Sequence, residues 1–162
     1  MPAALRSALQ EIVSELRALE DRMKTVERQL KQYAATSRDV QSIQQVPGVG
    51  LLTATALVAA VGTPDNFADR RHLAARMGLT PRHVGSGHRM HLGGISKRGD
   101  RYLRMLLIHV ARSVLIRAQS NAKAGRPLNR LQQWAMGLKQ RPNHNKPTCA
   151  LANKLARIPW AA

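Results

Sequence analysis

Nine apolar side chains near the start of the chain constrain its fold more than any other feature. Leu5, Leu9, Ile12, Leu16, Leu19, Met23, Val26, Leu30 and Tyr33 recur at alternating steps of four and three. Sustained over about four heptads, this alternation is the seam of a coiled coil, because a 3.5-residue repeat keeps one stripe facing a partner helix. Glu11, Glu15, Arg17, Glu20, Arg22, Lys24, Glu27, Arg28 and Lys31 fall between the seam positions and form a mixed-sign solvent face. A helix packed onto its own domain normally shows a wider apolar stripe. The narrow seam therefore favours self-association, as a dimer or as an antiparallel hairpin with another segment.

Downstream, the chain predicts further helices. Of its residues 44% are hydrophobic but only 3% aromatic, so the core must be aliphatic, which disfavours a β-sandwich or barrel. A helix should end near Gln45, followed by a Pro47-Gly48-Val49-Gly50 hairpin and a small-residue helix from Leu51 to Gly62. Thr63-Pro64-Asp65-Asn66 reads as a turn, with Asp65 or Asn66 capping a helix through Met77. Residues 79–98, rich in Gly, His and Arg, have no helical period and read as an exposed loop or short irregular hairpin. From about Asp100 to Gln119, Leu103, Leu106, Leu107, Val110, Val114 and Leu115 stand at helical spacing. Gly125-Arg126-Pro127 breaks that helix, another carries Leu128, Leu131 and Trp134, residues 141–147 form a loop, and a last helix runs from Cys149 to about Arg157. The expected fold is all-α: a coiled-coil arm at residues 1–45 and a compact helical domain at 46–162.

Charge narrows the partner. The formal net charge is +17, and its distribution is uneven. Residues 1–45 carry 7 basic and 6 acidic side chains, whereas residues 70–162 carry 19 basic side chains and one acid, Asp100. Such an excess on one folded unit repels itself unless a polyanion is the partner. A membrane-surface binder needs aromatic anchors on a basic amphipathic helix, and one Phe, two Trp and two Tyr are too few. No apolar run approaches the ~20 residues of a membrane span, and the first residues lack the layout of a signal peptide. A single cysteine, Cys149, excludes an internal disulfide and a multi-Cys zinc site. These features predict a soluble, cytoplasmic nucleic-acid-binding protein.

Three motifs carry chemistry. The Pro47-Gly48-Val49-Gly50 turn between helices fits a helix-hairpin-helix, whose glycines let a phosphate approach and whose second helix offers its amide end. Such contacts ignore base identity, and the same residues also suit a plain tight turn. In the second motif, Ser86 lies between Gly85 and Gly87, with Arg82, His83, His88 and Arg89 on either side. A serine attacking a phosphodiester needs open access, a proton acceptor and cations for the developing charge. The alternative is a loop serine beside basic phosphate clamps. His83, His88 and His91 lack a carboxylate or Cys companion at metal-site spacing, so no metal is expected there. The third motif runs from Gly93 to Arg104, where Lys97, Arg98, Arg101 and Arg104 at a helix entry suit a nucleic-acid backbone. It lacks the Walker order. Arg112 and Arg117 read as a solvated face.

Together these segments resemble the bridge-RNA-guided insertion-sequence transposases, the "IS-one-ten" family and its "eleven-eleven" subgroup. The resemblance is carried in order by Val46–Gly50, Ala74–Arg82, Gly85-Ser86-Gly87, Gly93–Arg104 and Ala150–Arg157. It implies that residues 46–162 are the family's C-terminal transposase domain and that the heptad is its coiled-coil arm. It further implies a serine that attacks DNA and becomes covalently linked to it. Ser86 matches that position and Ser96 is the second choice. DNA, a guide RNA and further copies of the chain are the implied partners, in a bacterial, nucleoid-associated setting. The family also carries an RNase-H-like domain whose four acidic residues hold divalent metal. Nothing in residues 1–162 resembles that domain, so the chain is expected to be without it, to hold no cofactor itself and to need a complete partner for strand exchange. From the residues alone, a non-catalytic helix-hairpin-helix protein that binds nucleic acid stands as the alternative.

Overall fold

The computed structural model describes residues 3–62, 67, 69–85, 91–139 and 145–158. The chain divides into two compact units, Met1–Arg38 and Asp39–Ala162. The first consists of α1 (Ala3–Thr36), an uninterrupted helix of 34 residues. Its seam stays open: Leu5, Leu9, Ile12, Leu16, Leu19, Met23, Val26 and Tyr33 are between 43% and 71% exposed. The opposite face carries the ion pairs Lys24–Asp21 at 3.0 Å and Lys31–Glu27 at 2.9 Å. Both are exposed and i,i+3 or i,i+4, so each adds at most a few tenths of a kcal/mol, ~0.3–0.5.

After Ser37 the chain re-enters helix as α2 (Arg38–Gln44), which buries Val40 and Ile43. Val46 and Val49 are buried in the turn that follows, and α3 (Leu51–Val61) begins after Gly50. Helix α4 (Arg70–Arg76) is shorter than its sequence predicts. Its N-cap is Asp69, whose carboxylate accepts from the backbone N–H of Arg71 at 2.6 Å and of His72 at 2.8 Å. The His72 N–H is the main reason that the Asp69 carboxyl is held below its ordinary pKa. Asp65 and Asn66, the caps expected from sequence, lie outside the described residues. The Gly, His and Arg stretch forms a hairpin of β1 (Pro81–Val84) and β2 (His91–Ile95). The strands pair antiparallel, Pro81 with Ile95, His83 with Leu92 and Val84 with His91, with a bulge between Pro81 and His83.

Helix α5 (Arg101–Lys123) is the core of the second unit. Leu103, Leu106, Leu107, Val110, Ala111, Val114, Leu115 and Ala118 are buried along it, a stripe at helical spacing that packs against α3, α6 (Arg130–Lys139) and α7 (Asn145–Arg157). Leu57, Met77, Leu79, Leu107, Leu151 and Leu155 fill the centre almost without exposure. Helix α6 opens on a reciprocal cap: Gln132 N–H donates to Asn129 Oδ1 at 2.8 Å and Asn129 N–H to Gln132 Oε1 at 3.1 Å. Helix α7 begins at Asn145, earlier than the loop expected from sequence allowed, with Pro147 in its first turn, where no intrahelical donor is needed.

The Asp100 carboxylate caps α5 by accepting from Leu103 N–H at 2.9 Å. Asp100→Ala should cost about 1 kcal/mol through this lost cap, and Asp100→Asn much less, measured as the shift in thermal unfolding midpoint. An unchanged midpoint in Asp100→Ala would show that the cap contributes nothing.

Candidate nucleic-acid interface

Two backbone segments hold the hairpin on the helices. The link from α4 to β1 lies against the link from β2 to α5. Ser96 N–H donates to Thr80 O at 2.8 Å, Lys97 N–H to Gly78 O at 3.1 Å and Asp100 N–H to Arg76 O at 3.0 Å. Side chains tie the same crossing, with Arg104 Nη1 donating to Met77 O at 2.9 Å and Asn153 Nδ2 to Leu79 O at 3.1 Å. Gly78 and Gly99 sit where the segments touch, at φ 66° and 90°. Lys97 is itself left-handed at φ 57°, a conformation that the surrounding backbone bonds hold in place.

With its base fixed, the hairpin forms one wall of a groove of about 1480 Å³. From the hairpin and the segment after it come Arg82 and Lys97, from α4 Arg70 and from α5 Arg112 with Ile108. Helix α7 contributes Lys146, Cys149, Asn153, Lys154 and Arg157, residues that share one face while Leu151, Ala152, Leu155 and Ala156 are buried on the other. Trp134 of α6 completes the wall, with Lys154 Nζ 4.0 Å from its ring centroid. The lining holds basic side chains and no acid. Among the described residues, Arg157 Nε is a buried donor with no hydrogen-bond acceptor. Burial in this wall pushes the Cys149 thiol up from its ordinary pKa, although the Arg112 and Lys97 charges pull the other way.

The residues singled out from sequence are distributed unevenly around this groove. Arg82 and Lys97 line it, whereas His83, Arg98, Arg101 and Arg104 do not. His83 and Arg101 are exposed elsewhere, and Arg104 is half-buried with its guanidinium engaged on Met77. Ser96 is half-buried at the crossing. Ser86, His88 and Arg89 lie outside the described residues, between β1 and β2. At the first motif, Pro47, Gly48 and Gly50 are exposed. Gly48 has φ 88°, and a Cβ there would collide with Val114 on α5, so packing alone demands glycine. Gly50 faces open space at the N-terminus of α3, which no side chain caps.

Sequence reasoning missed Arg70, Lys146, Lys154, Arg157 and Trp134; it read Arg112 as solvent-facing, and Arg112 is indeed exposed, on the wall of this groove. The polar stripe of α7 was a findable signal, but nothing local says which elements face it. Among the described residues no three His, Cys, Asp or Glu side chains gather into a metal site. No helix among them is long and apolar enough to cross a membrane.

A predominantly helical, basic unit with a cation-lined groove beside a short hairpin has the shape and charge to hold a polyanion. Residues 40–125 match the family model described as the transposase IS116/IS110/IS902 family, more than half of the chain, and the chain belongs to that family. It is 41% identical over 161 residues to a Pseudomonas aeruginosa protein named "Probable family 20 transposase", covering 99% of this chain and 46% of that one. It is 38% identical to the transposase for insertion sequence element IS1111A of Coxiella burnetii, over 97% of this chain and 42% of the relative. It is also 38% identical to the transposase for insertion sequence element IS1328 of Yersinia enterocolitica, over 86% and 40%. The chain spans less than half the length of each of these relatives.

Proposed function

We propose that this chain is the DNA-binding portion of a transposase acting in DNA transposition and recombination, with Ser86 as the nucleophile on a DNA phosphodiester. The observation that carries the reading is the charge of the second unit: from residue 70 onward, 19 basic side chains face a single acid, and that acid is occupied as a helix cap. Membership of a transposase family supports DNA as that polyanion. In this reading residues 46–162 form the DNA-binding domain. The turn at Pro47, Gly48 and Gly50 leads into the uncapped amide end of α3, which favours phosphate. Arg82, Lys97, Arg98 and Arg101 add backbone contacts, and His83, His88 and Arg89 flank the serine. The arm at residues 1–45 joins copies of the chain through the open α1 seam, because burying that stripe against a second helix removes it from water. A guide RNA is the further partner, and divalent metal enters with acidic residues that the described part of this chain does not supply.

The test is affinity for duplex DNA as a function of salt. Six phosphate contacts imply a slope of about −5 in log K against log salt, so affinity should fall by about a thousandfold between about 50 and 200 mM. A flat dependence in fluorescence anisotropy would remove the backbone-binding role.

A further inference from the structure

We infer that the groove between the hairpin and helices α5, α6 and α7 holds an unpaired nucleic-acid strand, in addition to the duplex contacts proposed above. The inference rests on the DNA-binding reading, shares Arg82 and Lys97 with it, and adds residues which that reading does not use. Trp134, Lys146, Lys154 and Arg157 lie beyond the segment matched by the family model.

The lining combines two chemistries that a duplex does not require together. Arg82, Lys97, Arg112, Lys146 and Lys154 offer charge to phosphates, while Trp134, Leu92, Ile108 and Ile158 offer apolar surface. A duplex keeps its bases stacked inside and presents phosphate and sugar. An unpaired strand also exposes the faces of its bases, which stack on aromatic and apolar side chains while cations track the backbone. Aromatic residues are scarce in this chain, yet one of its two tryptophans stands in this wall, 37% exposed. Leu92 on the hairpin is 68% exposed although it is a strand residue facing the groove. The groove is larger than the range of about 300–1,000 Å³ usual for small-molecule sites, which suits an extended ligand. The buried Arg157 Nε still lacks an acceptor, and a phosphate oxygen or base carbonyl would satisfy it.

The full chain is tested by fluorescence anisotropy against a dT oligonucleotide and an rU oligonucleotide of about 16 residues, and against a duplex of equal length. Trp134→Ala should weaken single-strand binding about tenfold and duplex binding less than about twofold, as expected for a lost stacking platform. Arg112→Gln, at an exposed position, should lower the single-strand salt slope by about 0.7. Unmodified protein gives a readout that does not depend on any variant folding: saturating oligonucleotide should slow alkylation of Cys149 at alkaline pH at least severalfold. Preference for dT assigns the strand to DNA and preference for rU to RNA. Either outcome supports the groove. Equal losses on all three probes, or alkylation of Cys149 unchanged by bound strand, would overturn the inference while leaving salt-dependent duplex binding in place. Absence of salt-dependent binding to any probe would overturn both readings.

Discussion

Gly99→Ala is expected to lower the thermal midpoint of the second unit by about 10–20 °C. Two independent effects add at this position. Gly99 has φ 90°, a conformation that costs a residue with a Cβ about 1–3 kcal/mol. The added Cβ would also overlap the backbone carbonyl oxygen of Arg76, and a backbone atom cannot step aside as a flexible side chain does. Relief requires separating the two segments, which breaks the Asp100 N–H to Arg76 O bond and frees the base of the hairpin. Overpacking of this kind costs about 1–3 kcal/mol more. Gly78→Ala should behave alike, since its Cβ would stand 2.7 Å from Arg98 N at φ 66°. Gly94→Ala is the control: it has no neighbour within 4 Å and should shift stability by less than about 0.5 kcal/mol. Similar midpoints for all three variants, measured by circular dichroism, would show that the crossing does not hold the hairpin.

Ser86→Ala should reduce covalent DNA capture by at least about four orders of magnitude, the scale on which loss of a nucleophile acts. In the proposed step the Ser86 oxygen bonds to phosphorus, its proton passes to a base, and the phosphorus–oxygen bond to the leaving deoxyribose breaks, with that oxygen gaining a proton. Energy is conserved in a phosphoserine link, and cations beside it offset the charge that builds on phosphate. The reaction is followed as a detergent-resistant protein–DNA adduct, in a system reconstituted with a longer relative that contributes the remaining segments. Duplex affinity should change less than about twofold, because a neutral hydroxyl carries little of the electrostatic binding. Adduct formation that survives Ser86→Ala but vanishes in Ser96→Ala would transfer the role to Ser96.

Much of the helical architecture could be read from spacing alone. The α5 positions Leu103, Leu106, Leu107, Val110, Val114 and Leu115 are all buried, as their period requires. The end of α5 just before Gly125, which takes φ 64°, and the start of α3 after Gly50 follow from glycine, which weakens a helix interior and is favoured at helix ends. Shorter signals misled. Asp69, rather than the earlier Asp65 or Asn66, caps α4, because its carboxylate reaches the N–H groups of Arg71 and His72 at the helix start. The start of α7 moved to Asn145, since Pro147 is tolerated in a first turn.

By itself, the sequence determined the heptad stripe of α1, the apolar face of α5, the aliphatic core and the concentration of charge after residue 70. Each is a property of neighbours along the chain, set by helical period or by composition. Tertiary structure alone decided that Gly78 meets Arg98, that Gly99 meets Arg76, and that the exposed Arg112 shares a groove with Arg82, Trp134 and Lys154. Those meetings join residues far apart in sequence. Their positions follow from how whole helices pack, and local periodicity carries no record of which faces will meet.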